Sequence, residues 1–146
     1  MKNNSTSLNI SKSVACVFEK KIFIVDDVDL VCRTVSAQLK SAGFANVSYE
    51  SDSRNVMASL EVNKPHMILL DIFMPHICGL DILQAIRANP DYDDVIVLML
   101  SSAGSEERFN SIELGAFGFI QKPLTAENLV QTMTSKFAMA ARLGIQ

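Results

Sequence analysis

The sequence predicts an α/β domain, an open five-stranded parallel sheet with helices on both faces. Short β-branched and aromatic runs recur at residues 22–25, 47–49, 67–70, 95–100 and 118–120. Between them lie segments with apolar residues three or four apart, the helical spacing. A further observation is that Ile68-Leu69-Leu70 and Ile96-Val97-Leu98-Met99-Leu100 are apolar throughout. Strands covered on both faces read that way, because neither side chain direction meets water.

Taken in order, residues 1–20 are rich in Ser, Asn and Lys and read as a flexible arm outside the domain. Val14, Val17 and Phe18 are its candidates for packing on the domain or on a partner. The first run, 22–25, ends abruptly in Asp26-Asp27. Val31, Val35 and Leu39 mark the first helix, which stops at Gly43. Run 47–49 leads to a helix with Val56 and Leu60, and run 67–70 ends in Asp71. Leu83 and Ile86 mark the third helix, and run 95–100 ends in Ser101-Ser102. Phe109 and Ile112 carry the fourth helix, after which run 118–120 leads into Lys122-Pro123. The last helix opens near Thr125 and Glu127-Asn128 and continues through Leu129, Met133 and Phe137. The domain thus spans residues 21–141, with 142–146 as a short tail.

Bulk properties narrow the function. One domain suits 146 residues, and 49% hydrophobic with 20% charged residues is ordinary for a folded soluble chain. The longest apolar run is strand-sized, far from the roughly 20 residues that span a bilayer. Residues 14–18 are too short and too late for a secretory signal. A net charge of −3, with scattered Lys and Arg, gives no footprint for nucleic acid. Cys16, Cys32 and Cys78 are odd in number and widely spaced, so they read as buried free thiols in a reducing cytoplasm. His66 and His76 lack a ligand partner at useful spacing and read as loop residues.

In a sheet of this class, ligands bind beyond the carboxyl ends of the strands, where strand order reverses. Asp26-Asp27, Asp71, Ser101-Ser102 and Lys122-Pro123 all fall at such ends. Two unit charges about 5 Å apart repel by roughly 3 kcal/mol at an effective dielectric of 20. Three carboxylates therefore raise one another's pKa values or bind a cation. Oxygen ligands without Cys or His favour magnesium. One carboxylate is then left to attack phosphorus, with Lys122 as a second positive charge and the Ser101 hydroxyl as a donor. Each feature alone is ordinary turn or cap chemistry. Their combination at successive strand ends is the specific signal.

Four segments carry a resemblance to the receiver domains of bacterial response regulators. They are Ile24-Val25-Asp26-Asp27; Leu70-Asp71-Ile72-Phe73-Met74-Pro75 with Gly79-Leu80; Leu98-Met99-Leu100-Ser101-Ser102; and Gly115-Ala116-Phe117-Gly118-Phe119-Ile120-Gln121-Lys122-Pro123. The likeness covers residues 20–137 and is nearest in layout to the stand-alone chemotaxis type. It implies a flavodoxin-like (βα)5 three-layer sandwich with strand order 2-1-3-4-5. It further implies that Asp71 accepts a phosphoryl group from a histidine kinase or a histidine phosphotransfer protein. Mg2+, for which Mn2+ can substitute, would be held by Asp27, by Asp26 through water, by Asp71 and by the main-chain carbonyl of Phe73. Ser101 matches the switch hydroxyl, Lys122 the phosphate-contacting lysine and Phe119 the aromatic position that reports switching. The bond before Pro123 would be cis. Phosphorylation would draw Ser101 inward and let Phe119 turn in, changing the face of helix four, strand five and helix five for a downstream protein. A homodimer through that face is one option. Such a protein is a switch rather than an enzyme, cytoplasmic, with no direct contact to nucleic acid or membrane.

The departures from the family's commonest pattern are also informative. Cys78 stands where an acid often precedes the glycine, and Ser102 replaces a frequent alanine. Phe73 and Ala103, the two positions flanking the attacking water, offer no group to orient it, which implies slow loss of phosphate. Phe119 has no phenol to satisfy when buried. Kinase specificity would rest on surface positions such as Val28, Leu30 and Val31.

Other readings differ at identifiable residues. A haloacid-dehalogenase phosphatase needs a second Asp where Phe73 stands. A flavodoxin proper needs a phosphate-cradling loop where Asp26-Asp27-Val28-Asp29 would repel the phosphate. A degenerate receiver, acting as an interaction module without phosphorylation, and a receiver belonging to a larger multidomain regulator both stay open.

Overall fold

The structure is a computed structural model that describes residues 16–102 and 105–145. Its five strands are β1 (Lys21–Val25), β2 (Asn46–Glu50), β3 (Met67–Asp71), β4 (Ile96–Ser101) and β5 (Gly118–Gln121). All pair in parallel, in the order β2-β1-β3-β4-β5. The helices are α1 (Asp29–Ala42), α2 (Val56–Asn63), α3 (Gly79–Ala88), α4 (Ser105–Glu113) and α5 (Ala126–Arg142). The expected flavodoxin-like topology is therefore the observed one. The chain steps from β1 outward to β2 and then back across to β3, so strand order reverses between β1 and β3. Val25 pairs with Leu70 there, which leaves Asp26 and Asp71 side by side just past the last rung.

Side chains of alternate parity fill two cores, as a period of two requires. On one face Ile22, Ile24, Leu69, Leu98 and Leu100 meet Val35 and Leu39 of α1 and Leu129, Met133 and Phe137 of α5. On the other, Phe23, Val25, Ile68, Leu70, Val97 and Met99 meet Val56 and Leu60 of α2 and Leu83 and Ile86 of α3. Both faces being covered, β3 and β4 carry no polar side chain before their carboxyl ends. Local signals fix the helix limits. Gly43, at φ 117, ends α1 with its N–H directed to the carbonyls of Leu39 and Lys40. The Thr125 hydroxyl opens α5 by accepting from the Asn128 N–H at 3.1 Å.

Helix α4 departs from the reading of its apolar spacing. Phe109 and Ile112 are 65% and 47% exposed, whereas Ser111 is fully buried. Ala116 and Leu114, just past the helix, fill the sheet-facing space instead, and the Ser111 hydroxyl is satisfied by the Arg108 carbonyl at 2.8 Å. Cys16 also differs, being exposed on the turn that leads to β1, while Cys32 is buried and Cys78 partly so; all three are free thiols.

Of the arm, residues 1–15 lie outside the described residues. Residues 16–18 form a helical turn against the domain. The Phe18 ring meets Phe44 edge-on at 5.0 Å, and the Phe18 carbonyl accepts from the Ala45 N–H at 3.1 Å. In the tail, Ile145 packs on the α1/α5 core. His66 lies at the amino end of the sheet, where its Nδ1 accepts from the Lys21 N–H at 3.0 Å. Burial lowers its pKa.

Gly79 opens α3 where the chain passes closest to β3. Its N–H donates to the Ile72 carbonyl at 2.7 Å, and a Cβ there would run into the Asp71 carbonyl oxygen. Gly79→Ala is expected to lower unfolding free energy by about 2–4 kcal/mol in urea titrations, since backbone must shift to admit the methyl group. Gly144→Ala, with nothing within 4 Å of its Cβ but a φ of 83, is expected to cost about 1 kcal/mol or less.

Candidate functional site

Asp26 is the innermost residue of the site, with no exposed surface. Its Oδ1 accepts from the Val28 N–H at 3.0 Å, a turn that delivers the chain into α1. Its Oδ2 lies 3.0 Å from Lys122 Nζ. Asp71, at the end of β3, is 6% exposed, and its Oδ1 lies 3.1 Å from the same Nζ. Lys122 therefore bridges two carboxylates from two strands. It is set in place by its N–H, which donates to the Ser101 carbonyl at 2.9 Å, and is followed by a cis bond to Pro123.

Asp27 is the solvent-accessible member of the group. Asp26, Asp27 and Asp71 each present an oxygen within 4.8 Å of the others. At that separation each like-charge pair costs about 3 kcal/mol at an effective dielectric of 20. Burial pushes the Asp71 carboxyl up to about 6, the Asp26 charge adds to the rise, Lys122 opposes it and Asp27 adds again. Burial alone would lower the Lys122 pKa, but its hydrogen bond to Asp26 and the Asp71 charge outweigh that and raise it. Lys122 is therefore a firm cation. Three carboxylates against one ammonium leave the group net negative, and its donors are all hard oxygens. That set fits a hard divalent cation of the magnesium kind.

Of the remaining expected residues, Ser101 and Phe73 lie at the same end of the sheet, and Phe119 stands two residues back along β5. Ser101 ends β4, is 1% exposed and pairs in register with Gln121, next to Lys122. Phe119 pairs with Met99 and is partly buried, with the Arg108 guanidinium 4.5 Å from its ring centroid. Phe73, in the loop between β3 and α3, is 58% exposed. Ala103 lies outside the described residues.

Two side chains passed over in the sequence touch the site. The Cys32 thiol donates to the Asp26 carbonyl at 3.2 Å; burial, then the Asp26 charge, pushes its pKa up to about 12. It stays a neutral thiol beneath the acid. Arg108 is the other, stacked on Phe119. An isolated Cys in a helix and an Arg on an exposed-looking one carry no local signal of either contact.

Comparison with known proteins agrees with this geometry. Residues 22–134 match the family model of the response regulator receiver domain. Chemotaxis protein CheY-3 of Vibrio cholerae is 30% identical over 118 residues, 80% of this chain and 91% of that protein. Chemotaxis protein CheY of Pseudomonas aeruginosa is 28% identical over 118 residues, 80% of this chain and 95% of that protein. The solved structure of Vibrio cholerae CheY4 superposes with a TM-score of 0.75 at 28% identity, over 80% of this chain and 98% of that one. With a family match across the sheet and its acidic edge, the chain belongs to the CheY-like response regulator receiver domains of two-component signalling.

Proposed function

We propose that this receiver is a switch driven by phosphorylation of Asp71, with a histidine kinase or a histidine phosphotransfer protein as donor. The observation that carries the reading is the Lys122 ammonium, 3.0 Å from Asp26 and 3.1 Å from Asp71, beside three carboxylates whose oxygens lie within 4.8 Å. An intact acidic cluster with its counter-cation is what aspartyl phosphorylation needs, and a pure interaction module has no use for its cost.

Asp26, Asp27, Asp71 and the Phe73 main-chain carbonyl are the residues that would hold Mg2+, or Mn2+ in its place. When bound, the cation offsets charge on the transferring phosphoryl oxygens. Asp71 supplies the nucleophile. One carboxylate oxygen bonds to phosphorus as the phosphorus–nitrogen bond of the donor histidine breaks, and the electron pair returns to the imidazole. Lys122 remains protonated and aligns Asp71 from below. The Ser101 hydroxyl donates to a phosphoryl oxygen, and the space it vacates lets Phe119 turn inward. The readout is the face of α4, β5 and α5, where the exposed Phe109 and Ile112 offer apolar contact to a downstream protein or a second copy. The protein works in the cytoplasm and catalyses nothing beyond its own phosphorylation and dephosphorylation. With Phe73 and Ala103 flanking the path of water, hydrolysis is slow.

Burial of Asp71 has a consequence for stability. Burial pushes its carboxyl up to about 6 in the folded protein, from the 3.8 of an ordinary aspartate. A raised carboxyl favours the folded state below the unfolded value, and that contribution is lost as pH rises through the folded value. The metal-free protein is therefore weakened by this group above about pH 6.

Acetyl phosphate with Mg2+ is expected to add one phosphoryl group, read by intact mass. EDTA or Asp71→Ala should abolish it; no mass shift and no beryllofluoride binding would make the chain a non-phosphorylated interaction module. In EDTA, Asp71→Asn should raise the urea-unfolding free energy at pH 7.5 by about 2–3 kcal/mol and leave it unchanged near pH 4. The isolated phosphoprotein is expected to persist for minutes or longer, with Phe73→Asn shortening its half-life several-fold; a wild-type half-life of seconds refutes the assignment of these positions.

A further inference from the structure

The loop from β3 to α3 carries Phe73 and is fixed at both ends by main-chain bonds. Ile72 donates to the Leu100 carbonyl at 3.4 Å, and the Ile72 carbonyl accepts from the Gly79 N–H at 2.7 Å. The Cys78 thiol donates to that same carbonyl at 3.2 Å. In between, the chain makes a turn of an uncommon kind. The Ile77 N–H donates to the Pro75 carbonyl at 2.9 Å, and His76 between them has φ 71. A three-residue turn with positive φ at a side-chain-bearing residue is strained and persists only where its surroundings hold it.

Ser53 holds it from across the fold. Ser53 is 2% exposed, and its hydroxyl donates to the Pro75 carbonyl at 2.7 Å and accepts from the Ile77 N–H at 3.1 Å. One buried hydroxyl, used as donor and acceptor together, joins both ends of the turn. Ser53 is in turn held by its neighbours. Asp52 accepts from the Arg54 N–H at 3.0 Å and from the Arg54 guanidinium at 2.8 Å, opening the short helical turn Ser53–Asn55. The fastening is tertiary, across sequence separations of 22 and 24 residues.

We propose that Ser53 is a positioning residue for cation binding, acting through Pro75 and Ile77 to fix the loop that presents the Phe73 carbonyl. The proposal rests on the functional reading given above, in which that carbonyl is a ligand. Phe73 stands midway between Asp71 and Pro75, two residues from each, so freeing the turn frees the carbonyl's aim. Supporting hydrogen bonds behind a ligand set its affinity, and losing one typically weakens binding by an order of magnitude. A merely structural staple would instead lower stability and leave the affinity of the folded protein alone.

The test is Mg2+ titration of the unphosphorylated full chain by calorimetry, with Mn2+ binding by electron paramagnetic resonance as a second probe. Wild type, Ser53→Ala and Ser53→Thr are compared where circular dichroism shows each fully folded. Ser53→Ala should raise the Mg2+ Kd three- to tenfold. It should slow acetyl phosphate labelling at limiting Mg2+ and regain the wild-type rate at saturating Mg2+. Ser53→Thr, which keeps the hydroxyl, should restore the Kd to within twofold. If Ser53→Ala fails to fold, Ser53→Ala with His76→Gly removes the positive-φ cost and carries the same measurement, with the same weakening expected. A Kd within twofold of wild type in the folded variant overturns the proposal. Absence of Mg2+ binding by wild type would instead overturn the functional reading on which it rests.

Discussion

The fold is organised around a charge conflict that it does not resolve by itself. Asp26, Asp27 and Asp71 crowd their oxygens within 4.8 Å, and one lysine bridges two of them. No isolated loop would hold such a group together, since each pair repels. What holds it is the sheet. β1 from Ile22 onward and all of β3 are buried, and Asp26 and Asp71 follow the last rung that joins these two strands, Val25 with Leu70. The acids cannot move apart without breaking apolar packing on both faces. The strain is thus stored where a cation and a phosphoryl group would relieve it, a familiar exchange of stability for function.

The helices are invested differently. α1, α2, α3 and α5 each bury two or more apolar side chains against the strands. α4 does not: its large side chains Phe109 and Ile112 face solvent, and a serine sits on its inner surface. Elements with few buried apolar contacts are the ones from which conformational change is drawn. The Arg108 guanidinium over the Phe119 ring is a polarisable contact of about 1 kcal/mol, small enough to be exchanged. On the proposed reading, the rigid part of the molecule would carry the chemistry and the loosely held part the surface that partners read.

Much of this was legible in the residues. Strand runs bounded by acids, a hydroxyl and a lysine located the sheet's working edge, because a parallel sheet leaves its polar chemistry only at strand ends. Gly43 and Thr125 marked helix limits by well-understood cap chemistry. The orientation of α4 was not legible: periodicity shows that Phe109 and Ile112 share a face but not which way it points, and a nine-residue helix followed by Leu114 and Ala116 can turn either way. Ser53 was invisible for another reason. Asp52-Ser53 reads as an ordinary turn, and the hydroxyl's partners lie 22 and 24 residues away, beyond any local pattern. Cys32 was missed at a separation of only six residues, because its contact with Asp26 depends on how α1 folds back on the end of β1.

Electrostatics also explains why Lys122 must touch two acids rather than one. On the proposed reading, phosphorylation exchanges the single charge of Asp71 for a group carrying about −1.5 to −2. If Lys122 were paired with Asp71 alone, it would have to choose between the old carboxylate and the new oxygens. Because Asp26 also holds it at 3.0 Å, the ammonium keeps its position while its partner changes. Asp26 is itself tied down by the Val28 N–H at 3.0 Å. The added charge is then met from a fixed point, and the displacement it causes must fall on what is free to move. On that reading those parts are Phe119, only partly buried under the Arg108 guanidinium, and α4, which presents Phe109 and Ile112 to solvent.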